Sequence, residues 1–239
     1  MASDSEMKRR RPQSQENFDG FITPDGRLVA IQDAESVYTL IVRSTDRMAD
    51  VIQALRGCAG ECAEKGYLAA CCAYMEKALP LLEDPAEKAA CLLSLGRVRE
   101  QMADFGAALR VYSRAFELPQ ERNETWYFLH NNLAYCLNRE GRYEEAEKHC
   151  RMAIRINRRR HNAHKNLGVA LQGRGRYVAA AKSFLRATRL CPVDARALGL
   201  LQELLTSHGE VLEEEPGIRS QLLECHEAVQ STKGVPRLQ

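Results

Sequence analysis

The stretch Asn132-Leu-Ala-Tyr-Cys-Leu-Asn-Arg-Glu-Gly141-Arg-Tyr143-Glu-Glu-Ala146 returns as Asn166-Leu-Gly-Val-Ala-Leu-Gln-Gly-Arg-Gly175-Arg-Tyr177-Val-Ala-Ala180. The displacement, about 34 residues, is a period of helical-pair repeats. With Leu133 and Leu167 set as position seven of each copy, small residues fall at eight (Ala134, Gly168), Leu at eleven (Leu137, Leu171), Gly at fifteen and Tyr at seventeen. Ala follows at twenty (Ala146, Ala180) and twenty-seven (Ala153, Ala187), with Cys150 and Phe184 at twenty-four. Positions four, seven, eight and eleven share one stripe of a first helix, and twenty, twenty-four and twenty-seven one stripe of a second. Small residues at eight and twenty let the helices approach, and Gly141 and Gly175 suit a left-handed helix end. A unit this short cannot bury its apolar face alone, so copies must stack.

The pattern resembles the tetratricopeptide repeat. A third copy lies upstream, where Leu95 at seven puts Gly96, Phe105, Ala108, Tyr112 and Ala115 in their places and Arg99 where an apolar residue belongs. A degenerate fourth spans residues 52–85 through Leu55, Cys58, Ala59, Cys62, Gly66, Leu68, Cys71, Met75 and Ala78. Beyond Asp194, Leu198, Leu201, Leu204 and Leu205 repeat the first-helix pattern without a full second helix, as terminal caps do. Glu214-Glu215-Pro216-Gly217 then breaks the chain before a last short helix. The resemblance implies an all-α, right-handed superhelical solenoid of helix-turn-helix repeats with a C-terminal capping helix. Residues 51–194 would form the repeat domain, 1–50 an N-terminal extension, and 195–239 the cap and an acidic tail. In the extension, residues 3–17 have the polar composition of a disordered segment. Thr23-Pro24-Asp25-Gly26 signals a turn, with a hairpin strand over 27–31. Ala34, Val37, Tyr38, Ile41 and Val42 read as a helix capped by Asp33, although the β-branched run also suits a strand.

The 45% hydrophobic and 28% charged composition is that of a folded soluble protein. No secretory leader or membrane-spanning run is seen, so a cytoplasmic chain is expected, with its nine cysteines reduced. Cys58, Cys62, Cys71 and Cys150 fall on packing positions, and His130 and His164 on an aromatic slot, so packing accounts for them and no metal is expected. No phosphate-binding glycine loop, nucleophile elbow or metal-binding histidine pair is present. The chain therefore reads as noncatalytic, with no cofactor.

Packing leaves Asn131, Asn132, Tyr135, Arg139, Asn162, Lys165 and Asn166 on the first-helix face, joined by Arg97 upstream and Arg196 in the cap. Asn132 and Asn166 hold equivalent places, and an amide ladder offers the donors and acceptor that an extended peptide requires. The family's carboxylate clamp is matched only at Asn132. Leu93 and Arg97 stand where its Lys and Asn are expected, and Asn162 and Asn166 where its Lys and Arg are. Arg97, Arg139, Lys165 and Arg196 make the face electropositive. The expected function is an adaptor or scaffold that binds an acidic peptide or protein segment in the concave groove. The alternative is a nucleic-acid-associated protein using Arg155 and Arg158-Arg159-Arg160; without aromatic platforms or a recognised module, nucleic acid is not the expected partner. Glutamates 210, 213, 214, 215, 224 and 227 make an acidic tail, expected to fold onto the basic face and compete with partners.

Overall fold

The structure, a computed structural model, describes residues 20–22 and 28–233. The expectations for residues 3–17 and for the turn at 23–26 lie outside it. The chain divides into two compact units, Met1–Asp104 and Phe105–Gln239.

In the first unit, strands β1 (Gly20–Ile22) and β2 (Leu28–Ala30) pair antiparallel, Gly20 opposite Ala30. Helix α1 (Ala34–Ser44) follows, and the Ser36 N–H donates to the Asp33 carboxylate at 3.1 Å. Val37 and Ile41, one helical turn apart, are both buried, so the apolar stripe overrides the strand preference of the β-branched run. Helices α2 (Met48–Glu64) and α3 (Leu68–Ala78) pack as a hairpin, and α3 packs on α4 (Pro85–Gln101). Cys58, Cys62, Cys71 and Cys72 are buried between them, and burial pushes the Cys71 thiol up to about 11. The Tyr74 hydroxyl donates to the Ile31 carbonyl at 2.7 Å and ties the helix pair to the end of the hairpin. Arg99, in the apolar slot at eleven, donates to Glu76 at 2.8 Å, so its charge is compensated there.

The second unit contains α5 (Phe105–Ala115), α6 (Glu124–Arg139), α7 (Tyr143–Ile156), α8 (His161–Gly173), α9 (Tyr177–Leu190) and α10 (Arg196–Ser207). A short α11 (Val211–Glu214) and α12 (Gly217–Lys233) complete it. Helices α6 and α7 form one hairpin and α8 and α9 the next, and α8 stacks on both α6 and α7. The stripes predicted from the repeat are buried: Leu133, Ala134 and Leu137 against Ala146, Cys150 and Ala153, then Leu167 and Leu171 with Ala180, Phe184 and Ala187. A Cβ on Gly168 would lie 2.5 Å from the Phe184 ring, which is why position eight there holds no side chain.

All four copies carry the same helix-ending turn. Gly66, Gly141 and Gly175 have φ of +78°, +74° and +71°, and Ala103 takes the equivalent place with φ +58°. In each, the next residue's N–H donates to the carbonyl five residues back: Tyr67 to Cys62, Asp104 to Arg99, Arg142 to Leu137, Arg176 to Leu171. This is the hydrogen-bond signature of a left-handed C-terminal cap.

A second stacking device was not legible from the apolar pattern. Glu147 of α7 is 5% exposed and accepts from Arg151 of its own helix and from Arg174 and Arg176 of the next repeat's turn. Burial pushes its carboxyl up, but Arg151 and Arg174 outweigh that and hold it below the ordinary range.

The acidic tail departs from expectation. Helix α12 packs on α9, burying Ile218, Cys225 and Val229, with Lys182 paired to Glu215 at 2.5 Å and Arg189 to Glu224 at 3.0 Å. The helix that it covers is a second helix, with a further contact to α10, where Gln202 lies 3.0 Å from His226. Exposed ion pairs contribute little, so the apolar side chains decide where the segment docks.

Candidate functional site

The first helices α6, α8 and α10 present most of the residues singled out above. Arg97 is exposed on α4, in the first unit. In the second unit the asparagines are not an open ladder. Asn166 is 5% exposed, and its amide donates to both the side-chain oxygen (3.2 Å) and the backbone oxygen (3.3 Å) of Asn131. Asn131 is itself buried and donates to Asn132 at 3.0 Å, and Asn132 donates to the Tyr112 hydroxyl at 3.3 Å. Asn138 closes the chain by donating to the Asn166 carbonyl at 2.9 Å. Close approach of α6 and α8 buries these amides, and a buried amide must find partners within the protein. Asn132 keeps a half-exposed side chain; Asn166 and Asn131 serve the interior.

Beside this chain the face divides into two patches. In one, Arg139 is exposed with its guanidinium 4.8 Å above the Phe105 ring, and that ring meets Tyr135 edge-on at 5.8 Å. Cation–π and edge-to-face contacts hold all three in a fixed arrangement with Tyr135 half-exposed. In the other, Arg196 makes two bonds to Asp194, at 2.7 and 2.6 Å, and His161 lies 2.9 Å from the same carboxylate. Arg196 holds the Asp194 carboxyl far below its usual range. Lys165, on α8, lies within electrostatic range of Arg196 and Asp194. Its ammonium is driven below the ordinary lysine range first by burial and then by Arg196, with Asp194 acting the other way. Tyr135 lies within electrostatic range of Arg196, so the two patches adjoin. Asn162 is half-buried on the first turn of α8.

The charge count on this face is unbalanced. Lys165, Arg196 and Arg139 contribute three cations, and Asp194, already shared by Arg196 and His161, is the carboxylate that answers them. No carboxylate among the described residues forms an ion pair with Lys165 or Arg139. The surface is aromatic on one side and cationic on the other. Sequence reasoning selected Tyr135, Arg139, Lys165 and Arg196 and missed their supports, Phe105 and Asp194. The signal for Phe105 was present, since it heads a second helix whose partner face contains Tyr135.

Of the two histidines read as aromatic substitutes, His130 packs among aromatic rings. His130 is 4% exposed, its ring centroid 4.8 Å from that of Phe116 and 6.4 Å from that of Trp126, with its Nδ1 2.9 Å from Nδ1 of His149. His164 donates from Nε2 to the Arg158 carbonyl at 3.0 Å.

Residues 127–192 match the tetratricopeptide repeat family. A structure of MamA from Desulfovibrio magneticus RS-1, residues 41 to the end, is 15% identical with a TM-score of 0.63, covering 79% of this chain and 100% of that one. BtubC from P. vanneervenii is 16% identical with a TM-score of 0.62, covering 87% and 92%. No curated protein matches the sequence. Among the described residues no helix is long and apolar enough to cross a membrane.

Proposed function

Since the chain is a tetratricopeptide-repeat protein, we propose that it is a noncatalytic scaffold that holds an acidic segment of a partner protein on the α6–α8–α10 face. We take the repeat domain to be residues 51–194, with 195–239 as cap and tail. The observation that carries this reading is Lys165. It is a half-buried ammonium beside a guanidinium, with no carboxylate of its own among the described residues. Desolvating one cation next to another is costly. An arriving carboxylate relieves that cost and regains a charge-assisted bond.

In the bound state the partner's carboxylate sits between Lys165 and Arg196, and an apolar or aromatic side chain packs on Tyr135 beside Phe105. Arg139 meets a second acidic group from above the Phe105 ring. Asn132 offers its half-exposed amide to the partner backbone, while Asn166 and Asn131 keep α6 and α8 in register. The test is a fluorescence-anisotropy titration of a labelled Glu-rich peptide containing one leucine into the full chain and into Lys165→Gln. Loss of affinity in the variant supports the face; equal affinity removes it. Because Lys165 has no ion pair to break, its replacement should leave the fold intact.

A further inference from the structure

A second charged surface lies at the junction of the two best repeats, away from the α6–α8–α10 face. Arg122, Arg155, Arg158, Arg159 and Arg186 are all exposed there. Two sets of contacts bring them together. Arg122 Nη2 donates to the Arg155 carbonyl at 2.6 Å, which draws the segment before α6 against the end of α7. The Arg158 carbonyl accepts from His164, whose imidazole in turn feels Arg186 of α9. Arg158 and Arg159 belong to the turn that joins α7 to α8.

Neighbouring cations have carboxylate partners. Arg160 is paired with Glu124 and lies 4.9 Å above the Phe128 ring, while Lys182 and Arg189 answer the acidic tail. Among the described residues no carboxylate forms an ion pair with Arg122, Arg155, Arg158, Arg159 or Arg186. Five like charges on one edge cost self-repulsion, which a polyanion relieves.

We infer that this edge binds the phosphodiester backbone of a nucleic-acid duplex, without reading its sequence. Three features favour that ligand over an acidic protein. Every free cation is an arginine, whose planar fork fits phosphate in a bidentate manner. The edge has no apolar centre of the kind a protein interface buries: the exposed apolar side chain there is Met152, and Arg155 lies against its sulfur at 3.5 Å. Among the described residues no exposed aromatic ring is available there to stack an unpaired base, whereas phosphate contacts to a duplex need none.

The experiment titrates two labelled duplexes of unrelated sequence against the full chain over a range of salt, alongside Arg155→Gln/Arg158→Gln/Arg159→Gln/Arg186→Gln and Lys165→Gln. Circular dichroism confirms that both variants are folded. The expected result is equal affinity for the two duplexes. In the quadruple variant the log–log salt slope should fall by about 3 and the affinity by at least about tenfold, with Lys165→Gln behaving as wild type. Three results would overturn the assignment: no binding at low salt, an unchanged slope in the quadruple variant, or a polyglutamate peptide whose binding is lost in that variant while duplex binding persists. Because Lys165 and the four arginines occupy different surfaces, the peptide and duplex readings fail separately.

Discussion

Asn166 of α8 donates through one amide to two oxygens of Asn131 on α6, at 3.2 and 3.3 Å, in a place 5% exposed to solvent. The side chain is therefore a stacking element between repeats. Replacing Asn166 with Ala should cost about 1–3 kcal/mol, since it strands a buried acceptor on Asn131. Replacing Asn132, half-exposed at the end of the same chain, should cost about 1 kcal/mol or less. Urea denaturation of both variants checks the ordering; equal losses would mean that the two amides are equivalent, as their repeat positions alone suggest.

Gly168 leaves no room for a Cβ against the second helix of its own repeat. Alanine is the better helix former by about 1 kcal/mol, yet its Cβ would meet the Phe184 ring at 2.5 Å. Overpacking of this kind costs about 1–3 kcal/mol. Gly168→Ala should thus lower the denaturation midpoint, and the double change with Phe184→Leu should recover part of the loss.

The four repeat turns supply a test in the opposite direction. Ala103 holds φ +58° where the other copies have glycine. A left-handed conformation costs an L-residue roughly 1–2 kcal/mol, partly offset by the extra freedom glycine has when unfolded. Ala103→Gly should raise the melting temperature, and Gly175→Ala should lower it by a comparable amount.

Acid should loosen the second unit through His130. Burial, and then His149, depress its imidazole to about 4 from an ordinary 6.5. Between those values the unfolded chain binds more protons than the folded one. The stabilisation is therefore full above about pH 6.5 and lost as pH falls toward about 4, on the order of 3 kcal/mol. His149 is also depressed by burial, with Glu145 acting the other way, so it adds to the same limb. His130→Phe, whose ring suits the pocket of Phe116 and Trp126, should flatten the dependence of stability on pH in that window. An unaltered acid limb would place the titration elsewhere.

The parts of the fold legible in sequence were those that repeat. Gly141 and Gly175 announced the turns, and Ala134, Gly168, Ala146 and Ala180 the close helix contacts, because geometry demands the same residue at each recurrence. The degenerate copy was found through Gly66 and its small neighbours for the same reason. What occurs once was harder to see. Glu147 collects arginines from two repeats, and no period marks it. The burial of Asn166 depends on how near α6 and α8 approach, a distance that a polar residue type does not reveal. Of the candidate face, the cations Arg139, Lys165 and Arg196 were named from their register, whereas Phe105 and Asp194 hold them in place through contacts between different helices. The tail was misplaced because its glutamates drew more attention than Ile218, Cys225 and Val229.

Lys165 is a half-buried cation that has no carboxylate of its own among the described residues. The most direct measurement is the dissociation constant of a labelled Glu-rich peptide for the full chain, compared with Lys165→Gln and Lys165→Arg at one fixed salt concentration. Affinity should fall about tenfold, equivalent to about 1.4 kcal/mol, in Lys165→Gln and be largely kept in Lys165→Arg. Identical binding by the wild-type chain and Lys165→Gln would contradict the account.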